Sequence, residues 1–203
     1  MMRMMEQLES RVLFIASEGV ILADLSAIEA QGVLAKSDLK SALATATADV
    51  KGIKTAVADA SPTTADKQAL VSLEKAVAAG ETTYKLRVTN ILNSGKNDGV
   101  TLLAKLKNLK AHPNSAVIQA KVQAAFNALQ GVFSNTVLTN VETNAANTVN
   151  TIDTAANALV TAVPSTLSDV GVLEGNLAGD LTTLSTQGTA IQSAIAQLGI
   201  DLS

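Results

Sequence analysis

The residue types that carry enzyme chemistry are scarce in this chain. His112 is the only histidine, and the 203 residues contain no cysteine. A catalytic histidine needs an orienting partner, and a zinc site needs several nitrogen or sulfur ligands, so His112 can complete neither. Glycine-rich phosphate-binding loops and nucleophile-elbow motifs are also absent from the sequence. We therefore predict no catalytic, cofactor-binding or metal-binding residues and no enzyme activity, and we interpret His112 as an exposed turn residue.

Three other polar groups invite a functional interpretation. Asn97–Gly99 faintly resembles a calcium loop, but the alternating carboxylates and the closing glutamate of such a loop are missing, which favours a plain turn. Glu174 interrupts an apolar pattern, and we interpret it as an edge residue that reaches water. Lys105, Lys107 and Lys110 lie at the end of a predicted helix, where positive charge is favourable.

The few aromatic residues lie on apolar stripes with helical spacing. Tyr84, Phe126 and Phe133 fall at such positions, and core packing is the expected role for each of them. Glycines on the same stripes would let neighbouring backbones approach closely. They are Gly32, Gly80 and Gly188.

The spacing of the prolines predicts the architecture. The chain has three prolines, and consecutive prolines are 51 residues apart: Pro62, Pro113 and Pro164. Proline begins or ends helices and rarely lies inside them. Apolar residues recur every three or four positions between the prolines, which is the pattern of packed amphipathic helices. We predict an all-α, elongated, antiparallel up-down four-helix bundle with coiled-coil-like packing, as a single domain over 17–203 with helices at 17–60, 62–111, 114–163 and 165–198.

Local signals refine these boundaries. Ser61 followed by Pro62 predicts the start of the second helix, and Thr166 with Asp169 predicts a capping box for the fourth. Gly199 predicts the end of the fourth helix. Residues 93–99 are rich in turn formers, and both a continuous or kinked helix and a true loop are open there.

Composition excludes several classes of protein. Hydrophobic residues make up 47% of the chain and charged residues only 16%, so the chain is neither disordered nor highly charged by composition. All 15 Lys and Arg residues precede position 122, whereas 122–203 contain six acids and no base. No overall basic footprint for nucleic acid is present. No apolar run is long enough for a membrane span or for a conventional signal peptide.

The N-terminus carries a short motif. The stretch Glu6–Phe14 reads Glu-Gln-Leu-Glu-Ser-Arg-Val-Leu-Phe. It resembles the Glu-x-Leu-Glu-Pro/Ser-Arg-x-Leu-Leu/Phe sorting motif near the N-terminus of many planctomycete extracellular and surface proteins, and Ala16 fits the small residue that follows. The resemblance implies that 1–16 form a sorting segment and that the protein is extracellular or on the cell surface. An alternative is a helical N-terminus with an apolar stripe at Leu8, Val12 and Ile15.

These observations give two hypotheses for function. The first is a non-enzymatic, exported helical bundle with a structural or protein-interaction role, whose partner is an unidentified protein or a second copy of the chain. The alternative is a carrier that opens to hold an apolar ligand, or an amphipathic bundle that binds a lipid surface. No cofactor, nucleic-acid partner or transmembrane segment is predicted.

Overall fold

The protein is an all-α bundle, as the sequence predicts. A computed structural model describes residues 18–113 and 115–202, and the N-terminal motif lies outside these residues. Five α-helices and one short 3-10 turn account for nearly all of the described chain, and no strand occurs in it. They are α1 (Glu18–Asp59), α2 (Thr64–Ala111), α3 (Ala116–Val132), α4 (Asn135–Ala162), the turn Pro164–Thr166, and α5 (Leu167–Leu202).

The helices contribute to two compact units. Unit 1 contains the described residues of 18–33, 91–137 and 188–202, and unit 2 contains 34–90 and 138–187. Each unit draws on helices that are far apart in sequence. Folding of 17–203 as a single domain stays a prediction.

Unit 2 has antiparallel neighbours around an aliphatic core. Between α1 and α2, Lys54 bonds Glu74 and Thr47 bonds Glu81. An earlier residue of α1 thus contacts a later residue of α2, so the two helices are antiparallel. Helices α1 and α5 show the same order, because Asp49 bonds Asn176 and Asp38 bonds Gln187. The core consists of small and medium aliphatic side chains, which allow close helix packing. Its buried members are Ala46, Ile53, Val57, Leu70, Leu73, Val77, Ile152, Ala156, Leu159, Val163, Val170 and Leu173.

Unit 1 places its two buried phenylalanines against glycines. A Cβ atom built on Gly199 of α5 would lie 2.9 Å from Cζ of Phe126, and a Cβ on Gly95 of α2 would overlap the ring of Phe133. Both rings are more than nine-tenths buried. The missing glycine side chains therefore provide the space that the two rings occupy.

The α1–α2 connection differs from the predicted cap. Ser61 adopts a left-handed backbone with φ 56°, and α2 begins two residues after Pro62. The cap is Thr63, whose backbone N–H donates to Asp66 Oδ2 at 2.8 Å while its hydroxyl accepts from the Asp66 N–H at 3.2 Å. This reciprocal pair is a capping box with aspartate as the acidic partner.

The third predicted helix is interrupted. One helix over 114–163 was expected, but α3 ends at Val132 and α4 begins at Asn135. Ser134 caps α4, because its hydroxyl accepts from the Val137 N–H at 3.4 Å. The break lies next to Phe133, whose ring is only 5% exposed. The apolar spacing continues through the break, so spacing alone gave no sign of it.

The fourth predicted helix differs at both ends. The Thr166 hydroxyl donates to the Val163 carbonyl at 2.8 Å and is fully buried, so it stabilises the 3-10 turn before α5. Gly199 does not end α5, which continues to Leu202. Because Gly199 has no side chain, it leaves space for the ring of Phe126. Its role is therefore in packing and not in ending the helix.

Residues 93–99 form part of a continuous α2. The helix runs through the whole segment, which confirms the continuous alternative. Gly95 is buried beneath Phe133, whereas nothing lies within 4 Å of a Cβ on Gly99. The glycine at 95 thus has a packing role that outweighs its poor helix propensity.

We expect opposite effects from alanine at these two glycines. Gly95→Ala adds a methyl group that overlaps the Phe133 ring and should lower the free energy of unfolding by about 1–3 kcal/mol. Gly99→Ala has open space and should raise it by up to about 1 kcal/mol, because alanine favours a helix. Urea titration followed by circular dichroism measures both. Equal stabilisation by the two variants would contradict the packing described here.

Candidate functional site

His112 is an exposed turn residue, as predicted. It follows α2, and its carbonyl accepts from the Ser115 N–H at 3.1 Å. Within 18–113 and 115–202, no three histidine, cysteine or acidic side chains are grouped as metal ligands.

The Asn97–Gly99 triplet is helical, so its interpretation as a turn is wrong. A calcium loop wraps its backbone around the ion, and the continuous α2 helix leaves no such loop at this position. Downstream, Lys107 and Lys110 are exposed and Lys105 is half-buried near the end of the same helix. Lys110 lies in the last turn, where a cation is favourable to the helix dipole.

The apolar stripe of α5 differs from the predicted one only near its start, and Val170, Ile191, Ile195 and Leu198 are buried as the spacing predicts. Leu173 is fully buried, Glu174 is only half-buried, and Leu167 is 65% exposed. Leu173, next to the Glu174 that interrupts the apolar pattern of the sequence, takes the core position between Val170 and Leu177. Glu174 is therefore an edge residue, which agrees with our interpretation that it reaches water.

The three glycines on the predicted apolar stripes differ in how closely side chains of neighbouring helices approach them. A Cβ built on Gly80 would lie 2.5 Å from Cγ2 of Thr148, and one on Gly32 would lie 3.4 Å from Cδ2 of Leu92. Gly188 is half-buried. The close approach predicted from the sequence is therefore tightest at Gly80, between α2 and α4.

Unit 2 contains a small apolar cavity beside Gly80. Its volume is about 60 Å³, and its walls include Ala46, Val77, Ala145 and Ile152. An apolar protein cavity that holds benzene measures about 150 Å³. The cavity beside Gly80 is smaller than that, so it is too small for a fatty-acid chain.

Three titratable side chains, Glu81, Tyr84 and Asp180, also line this cavity. Burial, and secondarily the charge of Asp180, raises the pKa of Tyr84 far above its ordinary value. Burial, and secondarily the charge of Asp49, raises the pKa of Asp180. Asp49 in turn accepts from the Asn176 amide at 2.7 Å. Burial therefore favours the neutral forms of the Tyr84 hydroxyl and the Asp180 carboxyl.

Sequence reasoning missed two further carboxyls with altered titration. Burial raises the pKa of Asp153 on α4, and its Oδ1 atom is buried without a hydrogen-bond partner. In unit 1, burial raises the pKa of Asp24, and the neighbouring Asp201 carboxyl adds to the effect. Asp24 and Asp201 are 177 positions apart, so only the fold brings them together.

No family model, no curated protein and no solved structure matches this chain.

No described helix combines the length and hydropathy that crossing a bilayer requires.

We expect mild acid to stabilise this protein. Asp24, Asp153 and Asp180 have raised pKa values in the fold, so the folded chain binds protons more tightly than the unfolded chain. Their destabilising effect is absent at low pH and develops as pH rises through the folded-state pKa values. The urea midpoint should therefore be higher at about pH 4, close to the ordinary carboxyl pKa of 3.8, than at about pH 7.5.

Asp153→Asn tests the origin of this effect. It removes the charge at nearly constant shape, so it should raise stability at neutral pH by about 1 kcal/mol and flatten the pH dependence. Asp59→Asn, at the exposed end of α1, is the matched control and should leave the slope unchanged. A wild-type urea midpoint that falls steadily from neutral pH to about pH 4 would contradict the expectation.

Proposed function

We propose that this protein is a non-catalytic helical bundle that is exported and has a structural or protein-interaction role at the cell surface or outside. The observation that carries the proposal is the outer face of α4. This face is an ordered row of uncharged amides and hydroxyls, which suits lasting contact with another surface and offers no acid, base or nucleophile.

The row follows a strict heptad. Its members are separated by alternating steps of three and four residues, and all of them are exposed. They therefore lie along one face of α4. They are Asn140, Thr143, Asn147, Asn150, Thr154, Asn157 and Thr161.

Hydrogen bonds within the helix fix several of these side chains. The hydroxyls of Thr154 and Thr161 donate to the carbonyls of Asn150 and Asn157 at 2.8 and 2.9 Å. The Asn157 amide donates to the Asp153 carbonyl at 2.9 Å. Side chains that are held in one rotamer lose little entropy when a partner binds. The face is therefore pre-organised for contact.

Export is supported by the motif at Glu6–Phe14 and its resemblance to planctomycete sorting segments. The absence of cysteine and the low surface charge agree with such a role without requiring it. The carrier alternative has less support, because the cavity of about 60 Å³ is too small for a lipid chain unless the helices separate.

We expect an antibody against the purified chain to detect it in the surface or medium fraction of the native organism. Alanine substitution of residues 6–14 should retain the chain in the cytosol if this motif directs sorting. Alanine substitution of Gln119, Gln123 and Asn127, exposed on α3, is a control that should leave the distribution unchanged. Detection of the wild-type chain in the cytosol alone would reject export.

The carrier alternative predicts binding that our proposal does not. Titration with a fluorescent fatty acid, and flotation with zwitterionic or anionic vesicles, should show no saturable binding to the purified chain. Saturable binding at low micromolar ligand concentration would favour the carrier over a purely structural role.

A further inference from the structure

Charge is segregated between the two pairs of helices in unit 2. The α1 and α2 portions, residues 34–90, carry eight basic and six acidic residues. The α4–α5 portion, residues 138–187, carries five acids and no base. In a chain with only 16% charged residues, this leaves one side of the unit positive and the other negative.

The four basic residues of α1 lie on one face of this helix, and the other four basic residues of 34–90 lie on α2. Lys36, Lys40, Lys51 and Lys54 follow one another after 4, 11 and 3 residues, and all four are exposed. These steps are close to whole helical turns, so the lysines form one row about 27 Å long. Lys54 contacts Glu74 of α2 at 3.0 Å, which places the row beside α2. We call Lys36, Lys40, Lys51 and Lys54 the lysine row.

The opposite side of unit 2 has the complementary character. Glu142, Asp153, Asp169 and Glu174 are half-buried on α4 and α5, and Asp180 of α5 lines the cavity of unit 2. The same two helices carry the uncharged row of α4 and the exposed glycines of α5. Those glycines recur every fourth residue, and a Cβ on any of them would meet nothing within 4 Å: Gly171, Gly175 and Gly179.

The lysine row and the α4–α5 side belong to different sides of unit 2. Contacts join α1 to both α2 and α5, and join α2 to α4. The lysine row lies on the α2 side of α1, because Lys54 contacts Glu74 of α2 whereas Asp38 and Asp49 are the α1 residues that bond α5. A basic face and an acidic face on opposite sides of a single molecule cannot meet within it. They can meet between two copies.

We propose that this chain associates with further copies of itself, the lysine row of one copy against the α4–α5 side of the next. The contact is heterologous, so each bound copy leaves an unoccupied face of each kind and the assembly can continue. Charge complementarity orients the approach, and the side chains of α4 and the glycines of α5 allow close contact. The proposal deepens the structural role proposed above but does not depend on export.

Sedimentation equilibrium of the purified full chain tests this contact. At about 0.02 M salt the weight-average mass should rise above the 20.8 kDa monomer as concentration increases, and about 0.5 M salt should return it towards the monomer because exposed charges are then screened. A wild-type chain that stays monomeric at several hundred micromolar in low salt would overturn the proposal.

A charge-reversed pair of variants identifies the faces. Lys40→Glu with Lys51→Glu should raise the dissociation constant at least about tenfold. Lys107→Glu with Lys121→Glu changes the net charge equally on exposed residues of unit 1 and should associate like the wild type. Equal weakening by both pairs would overturn the assignment of the lysine row.

Complementation distinguishes a real contact from a general effect of charge. Asn147→Lys with Asn150→Lys places positive charge on the α4 face and should also abolish self-association. Mixing this variant with Lys40→Glu/Lys51→Glu should restore association between the two, because each supplies the charge that the other face now requires. Both variants keep good helix formers, and circular dichroism confirms their folding. Absence of association in the mixture would overturn the proposal, whereas failure of export would leave this result unaffected.

Discussion

Close approach between helices is the constraint on which this structure depends. The core has almost no aromatic side chains and is filled by alanine, valine, leucine and isoleucine, so helices must pack at short range to exclude water. Where a large ring enters, the facing position is glycine, as with Phe133 at Gly95 and Phe126 at Gly199. Several positions of these helices have low helix propensity, so the helices depend on packing against one another for their stability.

This constraint explains what the sequence could and could not reveal. The apolar spacing predicted the α1, α2 and α4 stripes well, because burial on one side of a helix imposes a period between 3.5 and 3.6. It failed at the α3–α4 break, where Ser134 supplied a capping signal that the continuous stripe concealed, and at Glu174, where Leu173 fills the core instead. Gly199 was read as a helix end because local propensity cannot show that Phe126 lies opposite.

The candidate functional features follow from tertiary placement. The fold brings together residues that are far apart in sequence, namely Asp24 with Asp201 and Asp180 with Tyr84. No local sequence pattern predicts these pairs. By contrast, the segregation of basic residues before position 122 is visible in the sequence. Its meaning depends on the fold, because in unit 2 the basic stretch of α1 and α2 packs against the acidic stretch of α4 and α5.

Hydrogen exchange across residues 93–99 tests the central claim most directly. If α2 is continuous because Gly95 accommodates Phe133, these amides should exchange slowly, about as slowly as the neighbouring amides of α2, despite their turn-forming composition. Phe133→Ala should accelerate exchange in this segment more than in the α2 residues of unit 2. Exchange at 93–99 as fast as that of an unstructured peptide in the wild-type chain would contradict the account.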